Sequence, residues 1–255
     1  MEATDKIHIL LGGHDLEMLT IRDLLTERGI PFSDKQLRWD NALLSQYTET
    51  LQSIPSTHKI YGIELHEDIP LPDNYHTIDH HNHNSHLPSA LEQTASLLQI
   101  PMNRRMQLIA ANDKGYIPGL IAIGATEKEI TEIRLADRRA QGVTADDEKL
   151  AEQAIAENLT HAGELIIVKA TSHRFSPICD RLYPYNKLLI YTDNEWIYYG
   201  SEVNEIKELF PNEMRQDKLF YGGMPNGYIG LKQDSCTTEE ISRMVEKIIL
   251  YENGK

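Results

Sequence analysis

The chain has 255 residues, of which 40% are hydrophobic and 25% charged. That length suits one large domain or two small ones, and that composition excludes wholesale disorder. The net charge of -14, from 25 basic against 39 acidic residues, argues against a protein that coats long nucleic acid, but leaves room for a small anionic substrate held by a few arginines. No stretch nears the ~18 consecutive apolar residues of a membrane span, and the polar start Met1–Lys6 does not read as a secretory signal. Two cysteines, Cys179 and Cys236, cannot build a disulfide framework, so a reducing cytoplasm is the expectation.

In chain order, Ile7-His8-Ile9-Leu10-Leu11 reads as a buried strand ended by Gly12-Gly13. Apolar spacing predicts a helix from Leu16 to Leu25 with Gly29 as its stop, and a second helix over 41–51. Lys59–Glu64 and Tyr75–Asp79 read as strands, and 89–99 and 103–112 as helices. Strands alternating with helices predict a parallel sheet covered on both faces, with its ligand site at the carboxyl ends of the strands. From Thr126 to about Thr160 the chain reads as two helices broken near Gly142-Val143-Thr144, with Thr144 as a helix start. Beyond lie strands at 164–170, 188–192 and 196–199 and helices near 202–210 and 239–251. The expected division is a domain over 1–125, a helical connector over 126–161 and a smaller α/β domain over 162–255.

Carboxylates and imidazoles gather at the ends of the first-half strands. Asp15 and Glu17 follow the first strand, Glu64 the next, and Asp79-His80-His81 a third, while Asp113 lies in Ala110–Gly115 between two predicted helices. Mixed oxygen and imidazole donors suit manganese or magnesium, and two such ions ~3.5–4 Å apart can activate a water against a phosphoryl group. Singly, these residues also have plain readings. Asp15 and Glu17 could be a helix cap and a first-turn acid, and His83 and His86 a solvated loop. His14, His66 and His76 read as structural or exposed.

The order strand–acid pair, strand–acid, strand–Asp-His-His, later Asp resembles the DHH phosphoesterase superfamily, which includes RecJ-type exonucleases, oligoribonucleases and family II pyrophosphatases. The resemblance implies an N-terminal parallel-sheet domain, a helical linker and a smaller C-terminal α/β domain. It also implies a manganese- or magnesium-dependent hydrolase of a phosphodiester or phosphoanhydride. Carried over by motif, Asp15 and Glu64 would hold one ion, and Glu17, Glu64, His80 and Asp113 the other. Asp79 completes the metal set, and His81 faces the scissile phosphate. The chain departs from the family at Leu11, where the first motif has a histidine, and at Glu17 and Glu64, where aspartates are usual. Each glutamate carries its carboxylate ~1.5 Å further out, which matters in a centre that depends on sub-ångström placement.

In the second half, Tyr221–Gly230 resembles the family's glycine-rich substrate loop, with Met224 in place of its histidine. Gly222 and Gly223 would approach the phosphate, and Arg174 would meet it, with Arg181 a second candidate. Read without the family, the loop is a hairpin turn. Arg104, Arg105, Arg134, Arg138 and Arg139 read as surface charges on helices. The expected substrate is a small phosphorylated molecule or short oligonucleotide. The alternative is a degenerate relative that binds a nucleotide or protein partner without hydrolysis. The oligomeric state, a homodimer among the options, is left open.

Overall fold

A computed structural model describes residues 6–223 and 227–254. The chain forms two compact units, Met1–Gly142 and Val143–Lys255, so the boundary falls inside the segment expected as a connector.

The first unit begins with β1 (Ile7–Leu11), α1 (Leu16–Arg28) and β2 (Phe32–Asp34), then two short 3-10 turns, Trp39–Asn41 and Leu44–Tyr47. There follow α2 (Thr48–Ser53), β3 (Lys59–Ile63), β4 (Tyr75–Ile78), α3 (Ala90–Leu97), α4 (Arg104–Ala122) and α5 (Glu127–Ala140). Its four strands are all parallel, in the order β2-β1-β3-β4. Alternation along β1 sends Ile9 and Leu11 into one core cluster with Ile63, Leu91, Ile109 and Ile133, and Leu10 into another with Leu44, Tyr47 and Ile60. A strand buried on both faces is the signature of a covered parallel sheet. Gly29 ends α1 in the left-handed conformation, φ 62°, as glycine stops do.

The helix expected over 41–51 is replaced by the two 3-10 turns and α2. The reason is a competing ladder. Ala42 O accepts from His66 N at 2.8 Å, and Leu44 N donates to His66 O at 2.8 Å, so these backbone groups extend the sheet edge beyond β3. The three-residue β2 is too short to stand out in the sequence pattern. The two helices predicted around Gly142 are present as α5 and, in the second unit, α6 (Ala145–Asn158), which Thr144 caps through a reciprocal bond with Asp147.

The second unit continues with β5 (Leu159–Ala162), β6 (Leu165–Lys169), α7 (Ser176–Leu182), β7 (Lys187–Tyr191) and β8 (Trp196–Gly200). It ends with α8 (Val203–Glu208), α9 (Pro211–Arg215), β9 (Leu219–Gly222), β10 (Gly227–Leu231) and α10 (Thr238–Asn253). The sheet is mixed, in the order β5-β6-β7-β8-β10-β9, and β6–β7 is its one parallel pair among the described residues. No described helix is long and apolar enough to cross a membrane.

Candidate metal centre

Because β1, β3 and β4 run parallel, the residues that follow each of them emerge at one edge of the sheet. Gly12 lets these ends touch: a Cβ there would stand 2.2 Å from Glu64 O. Asp15 caps α1, its Oδ1 accepting from Met18 N at 2.8 Å, and Glu17 turns inward from the first turn of the helix. Glu17 Oε1 accepts from Leu91 N at 3.1 Å, tying α1 to the start of α3. Glu64 stands directly after β3 with φ 51°, a left-handed conformation that costs a non-glycine residue about 1–3 kcal/mol and that the surrounding structure must impose. Its amide is fixed by Ile78 O at 2.9 Å.

These elements bring four acidic or imidazole side chains around one point. His80 Nε2 lies 2.6 Å from Asp113 Oδ2, 3.0 Å from Glu64 Oε1 and 3.7 Å from Glu17 Oε2. None of these contacts has hydrogen-bond geometry: His80 Nε2, both Glu64 oxygens, Glu17 Oε2 and Asp113 Oδ2 are buried without a hydrogen-bond partner. Donor atoms of Glu64, His80, His81 and Asp113 all lie within 4.8 Å of one another. Unsatisfied, converging buried polar atoms are costly, and a divalent cation fits the set because it accepts lone pairs from all of them at once.

The electrostatics point the same way. Burial, reinforced by Asp113, pushes the Asp15 carboxyl up to about 7. Burial likewise lifts Glu17 and takes Glu64 to about 8, partly opposed by His80. His80 is pushed up to about 12: burial disfavours its charge, but Asp113, Glu17 and Glu64 together outweigh that. A lone imidazolium is too little positive charge for this crowd of carboxylates.

Asp79, expected in the metal set, lies outside the group of converging donors. Its Oδ1 accepts from His81 N and stands 3.0 Å from His81 Nδ1, and its Oδ2 accepts from Asn84 at 3.0 Å. Burial raises its pKa, but these hydrogen bonds win and hold it below the usual carboxylate range. Asp79 thus orients His81, whose side chain is 44% exposed. Leu11, at the position of the family's first histidine, is fully buried in the apolar core. His14 and His66 do not join the converging donors.

Asp113 sits within α4, two residues before a break at Gly115 and Tyr116, where Tyr116 has φ 54°. Arg134 of α5 pins both sides of it. Its guanidinium donates to Asn112 Oδ1 and to Asp137 Oδ2, each at 2.8 Å, and lies 4.4 Å from the centre of the Tyr116 ring. Arg134 and Arg138 are buried, 8% and 7% exposed, which corrects the surface reading of these arginines. Arg104 is the surface residue expected, paired to Glu129 at 2.9 Å.

The remaining predicted residues lie in the second unit. Arg174 follows β6, with its amide on Ser172 Oγ at 3.1 Å. Arg181 is committed to Glu148 and Glu152 at 2.7 and 2.9 Å. Gly222 and Gly223 stand at the mouth of the antiparallel β9–β10 pair; Met224, Pro225 and Asn226, the middle of the expected glycine-rich loop, lie outside the described residues.

No family model and no curated protein matches this sequence. Among solved structures, the chain is similar to the pGpG-specific phosphodiesterase PggH of Vibrio cholerae, at 15% identity over 98% of this chain and 99% of that one, with a TM-score of 0.52. Weaker likenesses, at TM-scores of 0.47 and 0.46, are to manganese-bound RecJ of Thermus thermophilus (11% identity, 97% of this chain, 52% of that one) and to the DHH domain of a protein assigned to a family of ribosomal proteins (10% identity, 91% and 73%). The chain therefore shares the fold of the Vibrio cholerae phosphodiesterase, in agreement with the two-domain α/β architecture that the DHH resemblance implies.

Proposed function

We propose that the first unit carries a divalent-metal-dependent phosphodiester hydrolase site for a nucleotide or short oligonucleotide. One observation carries the reading: Glu17, Glu64, His80 and Asp113 aim buried donor atoms without hydrogen-bond partners at one point. These four would hold one cation. Both Glu64 oxygens lack partners, so the second oxygen, with Asp15, would serve another. Such cations, manganese or magnesium by the oxygen-rich donor set, supply Lewis acidity toward a phosphoryl oxygen and a water acidic enough to attack phosphorus near neutral pH.

The rest of the chemistry belongs to the chain. Asp79 engages His81 at Nδ1, which leaves Nε2 to meet a phosphate oxygen or the leaving alkoxide as the P–O bond breaks. The burial of Glu17, Glu64 and His80 keeps bulk water from screening these charges. In the second unit, taken by itself, Arg174, Gly222 and Gly223 would offer donors to a phosphate. The likeness to a pGpG-specific enzyme supports a linear dinucleotide as the first substrate to try.

A second reading, a nucleotide-binding relative without turnover, is favoured by Leu11, which leaves the Asp15 side one ligand short. Calorimetric titration of metal-stripped chain with manganese, then turnover of a linear dinucleotide, separates the two. The expected result is saturable manganese binding that His80→Ala removes, with metal-dependent release of nucleoside monophosphate. Nucleotide binding without manganese binding would establish the second reading instead.

A further inference from the structure

A pocket of about 690 Å³ in the first unit opens beside the centre, and its lining includes Glu64, His66, His81, Asn82 and Trp39. Nothing in the sequence around Trp39 marks it for function. Its ring lies against the bare backbone of Gly13, where a Cβ would stand 2.5 Å from the indole. It meets His81 edge-to-face, with centroids 5.6 Å apart and planes at 63°. Yet the residue is 48% exposed. A large aromatic held between backbone and a half-exposed histidine, but left uncovered toward a polar pocket, has its place fixed without having its surface spent on the core.

We infer that Trp39 is a stacking platform for the nucleobase of the substrate. The inference rests on the proposed reading of the site as one for phosphodiesters, and it names which part of the substrate lies there. With a phosphate beside His81, the ring adjacent to that histidine is within a nucleotide's span. Flat apolar area flanked by Asn82 and His66, both able to donate and accept, suits a heteroaromatic base better than a bare sugar phosphate. Stacking of this kind tolerates any base, so selectivity among bases would come from the polar neighbours.

The test uses the full chain with AMP and ribose 5-phosphate as probes, in magnesium and again in chelator. The chain has two tryptophans, and Trp196 is fully buried, so quenching of exposed tryptophan emission reports Trp39. AMP is expected to quench and ribose 5-phosphate not to. Trp39→Ala should weaken AMP binding, measured by calorimetry, by about 10-fold or more, and Trp39→Phe by less, with ribose 5-phosphate affinity unchanged in both. Equal affinity for the two probes, no AMP binding by the native chain, or native-like AMP binding by Trp39→Ala overturns the inference. Loss of the metal reading would show separately, as absence of manganese binding by the native chain.

Discussion

Glu64→Gln should make the metal-free protein less sensitive to rising pH. Glu64 ionises near 4.5 in the unfolded chain and near 8 in the folded one, so between those values the folded state holds the extra proton. Stability is then fully present below pH 4.5 and is lost as pH rises toward 8. Asp15, lifted to about 7, and His80, lifted to about 12, slope the same way. Each pH step in the window is worth about 1.4 kcal/mol per group, so Glu64 accounts for at most about 3 kcal/mol of loss between roughly pH 5 and 7. Its coupling to Glu17 and His80 makes about 1–3 kcal/mol the expected range. Glutamine keeps the shape and removes the titration. Urea unfolding in chelator, followed by circular dichroism and tryptophan emission, should show the variant losing about 1–3 kcal/mol less than the native chain from pH 5 to 7. Saturating manganese should reverse the slope for the native chain, because the ion competes with protons for the same donors. Parallel pH profiles for the two proteins, or a native metal-free chain that gains stability over this interval, would refute the reasoning.

Two further outcomes follow from the groups around the centre. Asp79→Asn should leave manganese affinity nearly intact, since this carboxylate is spent on His81 and Asn84, while turnover of a linear dinucleotide falls about 10–100-fold; a matching loss of manganese affinity would return Asp79 to the ligand set. Arg134→Ala strands buried Asn112 and Asp137 and should cost about 3 kcal/mol or more in urea unfolding, with weaker manganese binding because Asp113 loses the support on both sides of its helix turn.

Much of this centre is legible in the sequence because its residues sit at strand ends that local patterns mark. The apolar run at Ile7–Leu11, the glycines after it and the Asp-His-His triplet after Ile78 are local signals, and a parallel sheet does the gathering. Asp113 is legible only as an acid near a helix break. What escapes depends on distant partners. The 41–51 helix fails because residues 42–44 pair with His66, and no pattern within the segment announces that. Arg134 looks like any helix-surface arginine until Asn112, 22 positions earlier, is seen to accept its hydrogen bond. Trp39 draws its place from Gly13 and His81, so neither its exposure nor its neighbours can be read from Arg38-Trp39-Asp40.

The depth of the centre has a kinetic consequence. The Glu17, Glu64 and His80 side chains are 1%, 1% and 4% exposed, whereas Asp113 is 15% and His81 44%. An ion held by them would meet solvent mainly past the last two, on the side where the pocket lined by Glu64 and His81 opens. A chelator small enough to enter that pocket should then strip the ion at a rate that rises with chelator concentration, and a bulkier chelator of equal affinity should do so more slowly.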